Sequence, residues 1–121
     1  MNDTRAAPVV FDPAALEDLT GDARDAELAV LLADHYRRLL PERIARIASE
    51  LHGPDPFDAM DPVLSLKVSS NALGARELGA LAAAVERRLR MRDVPAAHAA
   101  FVALAPAVER VERELAAYLT R

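Results

Sequence analysis

Apolar residues recur along this chain at intervals of three and four, the period of an α-helix, and nowhere alternate as in a half-buried strand. Over residues 24–52 the series Leu28, Leu31, Leu32, Tyr36, Leu39, Ile44, Ile47 and Leu51 predicts the inner stripe of one long helix. Leu78, Leu81, Val85 and Leu89 predict a second stripe over residues 75–91. Phe101, Leu104, Val108, Val111, Leu115 and Tyr118 predict a third over residues 93–119. A short helix after Asp12-Pro13, with Leu16 and Leu19 inward, and a helix from Asp58 or Asp61 to Leu73 complete a set of five.

Punctuation residues agree with this division. Asp12 and Asp93 stand as N-caps ahead of Pro13 and Pro95, which suit a first helical turn; Asp58 or Asp61 would cap the third helix, with Pro62 in its first turn. Thr20-Gly21, Gly53-Pro54 and Gly74 are stop signals. Pro41 is expected to kink or split the second helix, and Pro106 to bend the last, because proline removes a backbone donor and crowds the preceding turn. Short connections between long amphipathic helices imply antiparallel neighbours. The expected fold is all-α: an antiparallel up-and-down four-helix bundle with a short extra N-terminal helix across one end. Residues 1–10 read as a mobile lead-in and 11–121 as one domain. Leu66, Leu73, Leu81, Val85, Phe101, Leu104 and Val108 are expected to be buried.

Composition narrows the class. The 121 residues are 52% hydrophobic, enough for a core, which excludes a disordered chain. With no cysteine there is no disulfide and no thiolate metal or redox site. Fifteen basic residues against nineteen acidic give a net charge of −4, which argues against nucleic-acid binding. No secretory pattern opens the chain and no stretch approaches roughly 20 apolar residues, so no membrane span and a cytoplasmic location are expected. Among the basic residues Lys67 is the only lysine.

The third helix carries the most information. On a helical wheel Ala59, Val63, Leu66, Ser70 and Leu73 share the core stripe, while Met60, Leu64, Lys67, Val68 and Asn71 lie on the far side. An ordinary surface would be charged; this one has three apolar side chains around one lysine. Either a neighbouring element covers it, or it is an exposed patch used for a partner.

The segment Val63-Leu64-Ser65-Leu66-Lys67-Val68-Ser69-Ser70-Asn71-Ala72-Leu73-Gly74-Ala75 resembles the signature of histidine-containing phosphotransfer (Hpt) domains, which runs roughly Ala-His-Ser-Leu-Lys-Gly-Ser-Ser-Ala-Asn-Leu-Gly-Ala. The likeness extends through Leu78, Leu81 and Val85-Glu86 and back to Phe11-Asp12-Pro13-Ala14-Ala15-Leu16, with Tyr36 through Pro41 similar to the family's kinked second helix. The resemblance implies a helical-bundle module of two-component phosphorelay signalling, partnered by the receiver domain of a response regulator or hybrid histidine kinase and needing no cofactor. It also implies a lost activity. Leu64 stands where the family has its phosphorylated histidine, and Val68 replaces the glycine one turn on. Leucine has no lone pair to attack an aspartyl phosphate. The expectation is therefore a non-catalytic member, with Met60, Leu64, Lys67, Val68 and Asn71 as its partner-binding residues. The alternatives are phosphotransfer through another histidine and a structural or oligomerisation bundle.

The remaining candidates have plainer readings. His35 suits a core edge, His52 a helix C-terminus, and His98 a core edge or surface. No two of them share a helical turn, so no metal site is expected. Arg87, Arg88, Arg90 and Arg92 fit a solvated helix end, with contact to an acidic partner as the alternative. Ser65, Ser69 and Ser70 have no adjacent base in sequence and read as packing residues.

Overall fold

The computed structural model describes residues 8–21 and 26–120. Among them every regular element is helical and none is a strand. Helix α1 spans Pro13–Thr20: the Asp12 carboxylate accepts from the Ala14 N–H at 3.1 Å, Pro13 fills the first position, and Gly21 closes it at φ 75°. Leu16 is fully buried, but Leu19 is 50% exposed, against expectation. So short a helix centres one side chain on its neighbours, and Leu19, about 60° round, falls at the rim.

Helix α2 spans Ala26–Leu51; the expected start at Arg24 lies outside the described residues. Pro41 does not split it. The residue is exposed, so the carbonyl left without a donor one turn back lies on the solvent side. Its inner stripe is Ala29, Ala33, Tyr36, Leu40, Ile47 and Leu51, rotated by one residue from the expected one at the N-terminal end. Leu28 and Leu31 point outward, Leu31 at 65% exposure. Alanines allow closer helix approach than leucines, and here close packing sets the rotation.

A 3-10 turn over Pro56–Ala59 follows, capped by the Asp55 carboxylate accepting from the Phe57 N–H at 3.1 Å. Helix α3, Met60–Leu73, grows directly from this turn, so neither Asp58 nor Asp61 caps it. Helix α4 covers Arg76–Arg90, and α5, Val94–Val102, begins under the Asp93 cap. Helix α6 spans Leu104–Leu119. The expected single bent helix is thus two segments. Pro106 has no N–H for the Val102 carbonyl, and the Ala103 N–H bonds back three residues to Ala100 at 3.3 Å. Ala103 itself stays right-handed, so the segments continue one rod.

The principal packing joins α3 to α4, α4 to α5, and α2 to both α6 and the 3-10 turn, with α1 across α2 and α3. Leu66, Leu73, Val85 and Leu104 are buried as expected, whereas Leu81, Phe101 and Val108 are half-buried. Ala82 and Ala107, one residue away from Leu81 and Val108, take the inner positions. The α5–α6 rod is, among the described residues, the one helix long and apolar enough to cross a membrane, contrary to the expectation of no such stretch. Its Ala97, Leu104, Ala107, Val111 and Leu115 are buried within the fold.

Residues 1–7 of the expected lead-in lie outside the described residues, and its described part is hydrogen-bonded to the helices. The Val9 carbonyl accepts from the Glu77 N–H at 2.9 Å, and the Asp12 N–H donates to the Gly74 carbonyl at 2.9 Å. Phe11 is buried edge-on against Tyr118, ring centres 5.5 Å apart. These bonds hold the N-terminal segment across the α3–α4 corner.

Candidate docking face on helix α3

Helix α3 divides as its wheel predicts. Ala59 precedes it, and Val63, Leu66, Ser70 and Leu73 lie against the core. On the opposite side Val68 is 63% exposed and Asn71 is exposed, while Met60, Leu64 and Lys67 are half-buried. Leu64 is therefore less open than its wheel position suggests, and Val68 forms the outermost apolar point. Asn71 is partly committed inward. Its side-chain amide lies over Gly79 of α4, where a β-carbon would collide with it.

Two charged arrangements flank the patch. On the α4 side, Lys67 Nζ donates to Glu86 Oε1 at 2.6 Å, and Arg90 Nε donates to Glu86 Oε2 at 2.8 Å. Glu86 is buried, and the hydrogen bond from Lys67, then that from Arg90, holds its carboxyl below the usual range. Lys67 is thus engaged rather than free beside the patch. On the α2 side, Arg43 Nη1 donates to Ser69 Oγ at 2.7 Å and lies 3.4 Å from Ser65 Oγ. Ser69 in turn donates to the Ser65 carbonyl at 2.8 Å. The apolar centre accordingly sits between Arg43 on one side and Lys67 with Arg90 on the other. Arg43, Lys67 and Arg90 thus stand around the patch, the last two sharing the carboxylate of Glu86, and the exposed Asp61 lies on the same face one turn before Leu64.

Beneath the face, Tyr36 Oη and Ser70 Oγ share a buried hydrogen bond of 2.6 Å. Burial pushes the Tyr36 phenol up to about 12, against a smaller opposing effect of the Ser70 bond and then of Arg43. Folding therefore favours the neutral phenol. Its stabilisation is complete below the ordinary value of 10.0 and is lost as pH rises towards about 12. Tyr36→Phe is expected to cost about 1–2 kcal/mol at neutral pH, because the Ser70 hydroxyl is left buried without its partner. The same variant should lose the part of the alkaline decline that belongs to this phenol. Thermal melts at pH 7, 10 and 11.5 check both points.

His52 follows the last residue of α2 and His98 is half-buried on α5, both as expected, whereas His35 is not at a core edge. His35 is exposed on α2, at the edge of a groove lined also by Leu19, Leu32, Arg43, Ser69 and Leu73. His52 and His98, which no helical spacing connects, lie side by side with ring centres 4.6 Å apart and planes inclined at 40°. Of the arginine run, Arg90 binds Glu86 and Arg92 lies 4.5 Å over the Phe57 ring, leaving Arg87 and Arg88 exposed. Sequence reasoning did not find Arg43, Glu86 or Arg90 as parts of the face. Arg90 stands four residues after Glu86, an ion-pair spacing visible in the sequence, but the meeting of both with α3 is tertiary. No protein-family model matches the chain, and no curated protein or solved structure is detectably similar to it.

Proposed function

We propose that this chain is an Hpt-like docking module of two-component signalling, built as an antiparallel four-helix bundle with a short N-terminal helix. It binds a receiver domain, of a response regulator or hybrid kinase, without carrying a phosphoryl group. One observation carries the reading: Val68, Leu64 and Met60 form an apolar centre with Arg43, Lys67 and Arg90 around it. Receiver active sites resemble the complement of this face, since they cluster acidic residues around a phosphorylatable aspartate. The apolar centre supplies burial and the cationic rim supplies orientation and encounter rate. Leu64 at the acceptor position removes the nucleophile, so docking is retained and transfer is not.

The test is binding of a panel of purified receiver domains, with and without Val68→Asp. Val68 is exposed, so this change should shift stability by no more than about 0.5 kcal/mol. A charge at the centre of the interface facing acidic groups should weaken binding by about thirtyfold or more. Undiminished binding by Val68→Asp, or no binding by any receiver, overturns the proposal. If sedimentation then shows a dimer that Val68→Asp dissociates, the face is a self-association surface. His35 supports a second reading, because it is exposed beside Arg43 and Ser69. An acid-labile phosphate acquired from a phosphorylated receiver, and lost in His35→Ala, would establish transfer through that ring.

A further inference from the structure

A groove of about 470 Å³ lies between the C-terminal half of α2 and the α5–α6 rod, well apart in sequence from the α3 face. Ile44, Phe101, Val102 and Ala105 make it apolar, and its polar lining is two imidazoles, His52 and His98. Their ring centres are 4.6 Å apart and their planes are inclined at 40°. Among the described residues neither ring has a hydrogen-bond or ion-pair partner, so the ring nitrogens remain available.

That separation has a chemical meaning. A transition-metal dication sits about 2.0–2.1 Å from an imidazole nitrogen, which puts the ring centre roughly 3.2 Å from the metal. Two imidazoles on adjacent coordination positions, about 90–109° apart, then have ring centres roughly 4.5–5.2 Å apart. The observed pair lies inside this interval. The donor set also selects the ion. Imidazoles without carboxylates suit Zn²⁺, Ni²⁺ or Cu²⁺ and do not suit Mg²⁺ or Ca²⁺, which require oxygen ligands. His52 immediately follows the last residue of α2, where the negative end of the helix dipole favours a cation.

We propose that His52 and His98 form a two-imidazole site for a divalent transition metal, with water completing the coordination, that clips the end of α2 to α5. The two ligands stand 46 positions apart in the sequence, so the site exists only in the folded state. Metal binding therefore stabilises the fold, by an amount that grows with the logarithm of the metal concentration once it exceeds the dissociation constant.

The experiment uses the full chain with Zn²⁺ and Ni²⁺ chlorides as probes, by calorimetric titration and by thermal melts with and without chelator. One ion per chain is expected, with a melting temperature that rises with metal and returns on chelation. His52→Gln and His98→Gln should each reduce affinity at least about tenfold and abolish most of the metal-dependent rise. Both positions retain some exposure, and melts without metal report directly whether either variant has lost stability. Mg²⁺ should have no effect. Absence of binding, or binding that survives both substitutions, overturns the proposal. If His35→Gln lowers affinity as much as the other two, the binding is adventitious surface chelation and the proposal also fails.

Discussion

Gly74→Ala is expected to cost about 3 kcal/mol and to lower the melting temperature by roughly 12 °C. Gly74 ends α3 at φ 102°, a conformation that L-residues rarely adopt, which alone costs about 1–2 kcal/mol. A β-carbon there would also collide with the Asp12 carbonyl oxygen and press against the Ala15 side chain. The carbonyl is backbone and has no freedom to turn aside, because the neighbouring Asp12 N–H is bonded to the Gly74 carbonyl at 2.9 Å. Relieving the clash means lifting the N-terminal segment from the α3–α4 corner, at an overpacking cost of about 1–3 kcal/mol. Gly21→Ala is the internal comparison. Gly21 has φ 75°, but among the described residues a β-carbon there meets nothing within 4 Å, so only the conformational part, about 1 kcal/mol, should appear. Equal losses in the two variants would show that the Asp12 contact contributes nothing.

Leu64→His combined with Val68→Gly is expected to accept phosphoryl groups from a receiver that binds the wild-type chain, and Leu64→His alone to do so about ten- to a hundredfold more slowly. In the reaction the phosphorus–oxygen bond of the aspartyl phosphate breaks as the imidazole nitrogen forms its bond to phosphorus, and the carboxylate departs. The nitrogen must come in line, and a misplacement of about 1 Å is enough for a hundredfold loss. Position 68 is one turn from position 64 on the same face, and Val68 at 63% exposure stands out from it. In the proposed docking it would hold the receiver back from a ring at position 64. Glycine removes that bulk at a helix-propensity cost of about 1 kcal/mol. Transfer from a labelled receiver, measured for both variants, checks the order. Equal rates would show that Val68 is no obstacle.

The helical class and most of its punctuation were legible because they are local. Asp12, Asp93, Gly21 and Gly74 act within a turn of where they stand, and a cap or a left-handed stop needs no distant partner. The division of α3 into a core side and an outer side was legible for the same reason, since 100° per residue fixes the relation of Leu66 to Val68 whatever surrounds them. The inner face of α2 was misread. Leu28 and Leu31 are the larger apolar residues, but the fold buries Ala29 and Ala33 in their place. A periodic pattern shows that a stripe exists and leaves its rotation to the width available between neighbours. Asp58 and Asp61 failed as caps because a 3-10 turn begun by Asp55 already supplied the start of α3.

The sequence by itself determined an all-helical chain, its main helical segments, and an α3 face with Leu64 and Val68 together on it, because each follows from relations within a few residues. Only the tertiary structure decided what surrounds that face. Arg43 arrives from α2, and Glu86 from α4 turns Lys67 from a free cation into one arm of a part-buried ion pair. It likewise set His52 beside His98, and pinned Val9 and Asp12 to the α3–α4 corner. The physical reason is common to these cases: helix geometry fixes angles and spacings along one axis, whereas contacts between axes depend on how closely small residues let the helices approach and where each is rotated.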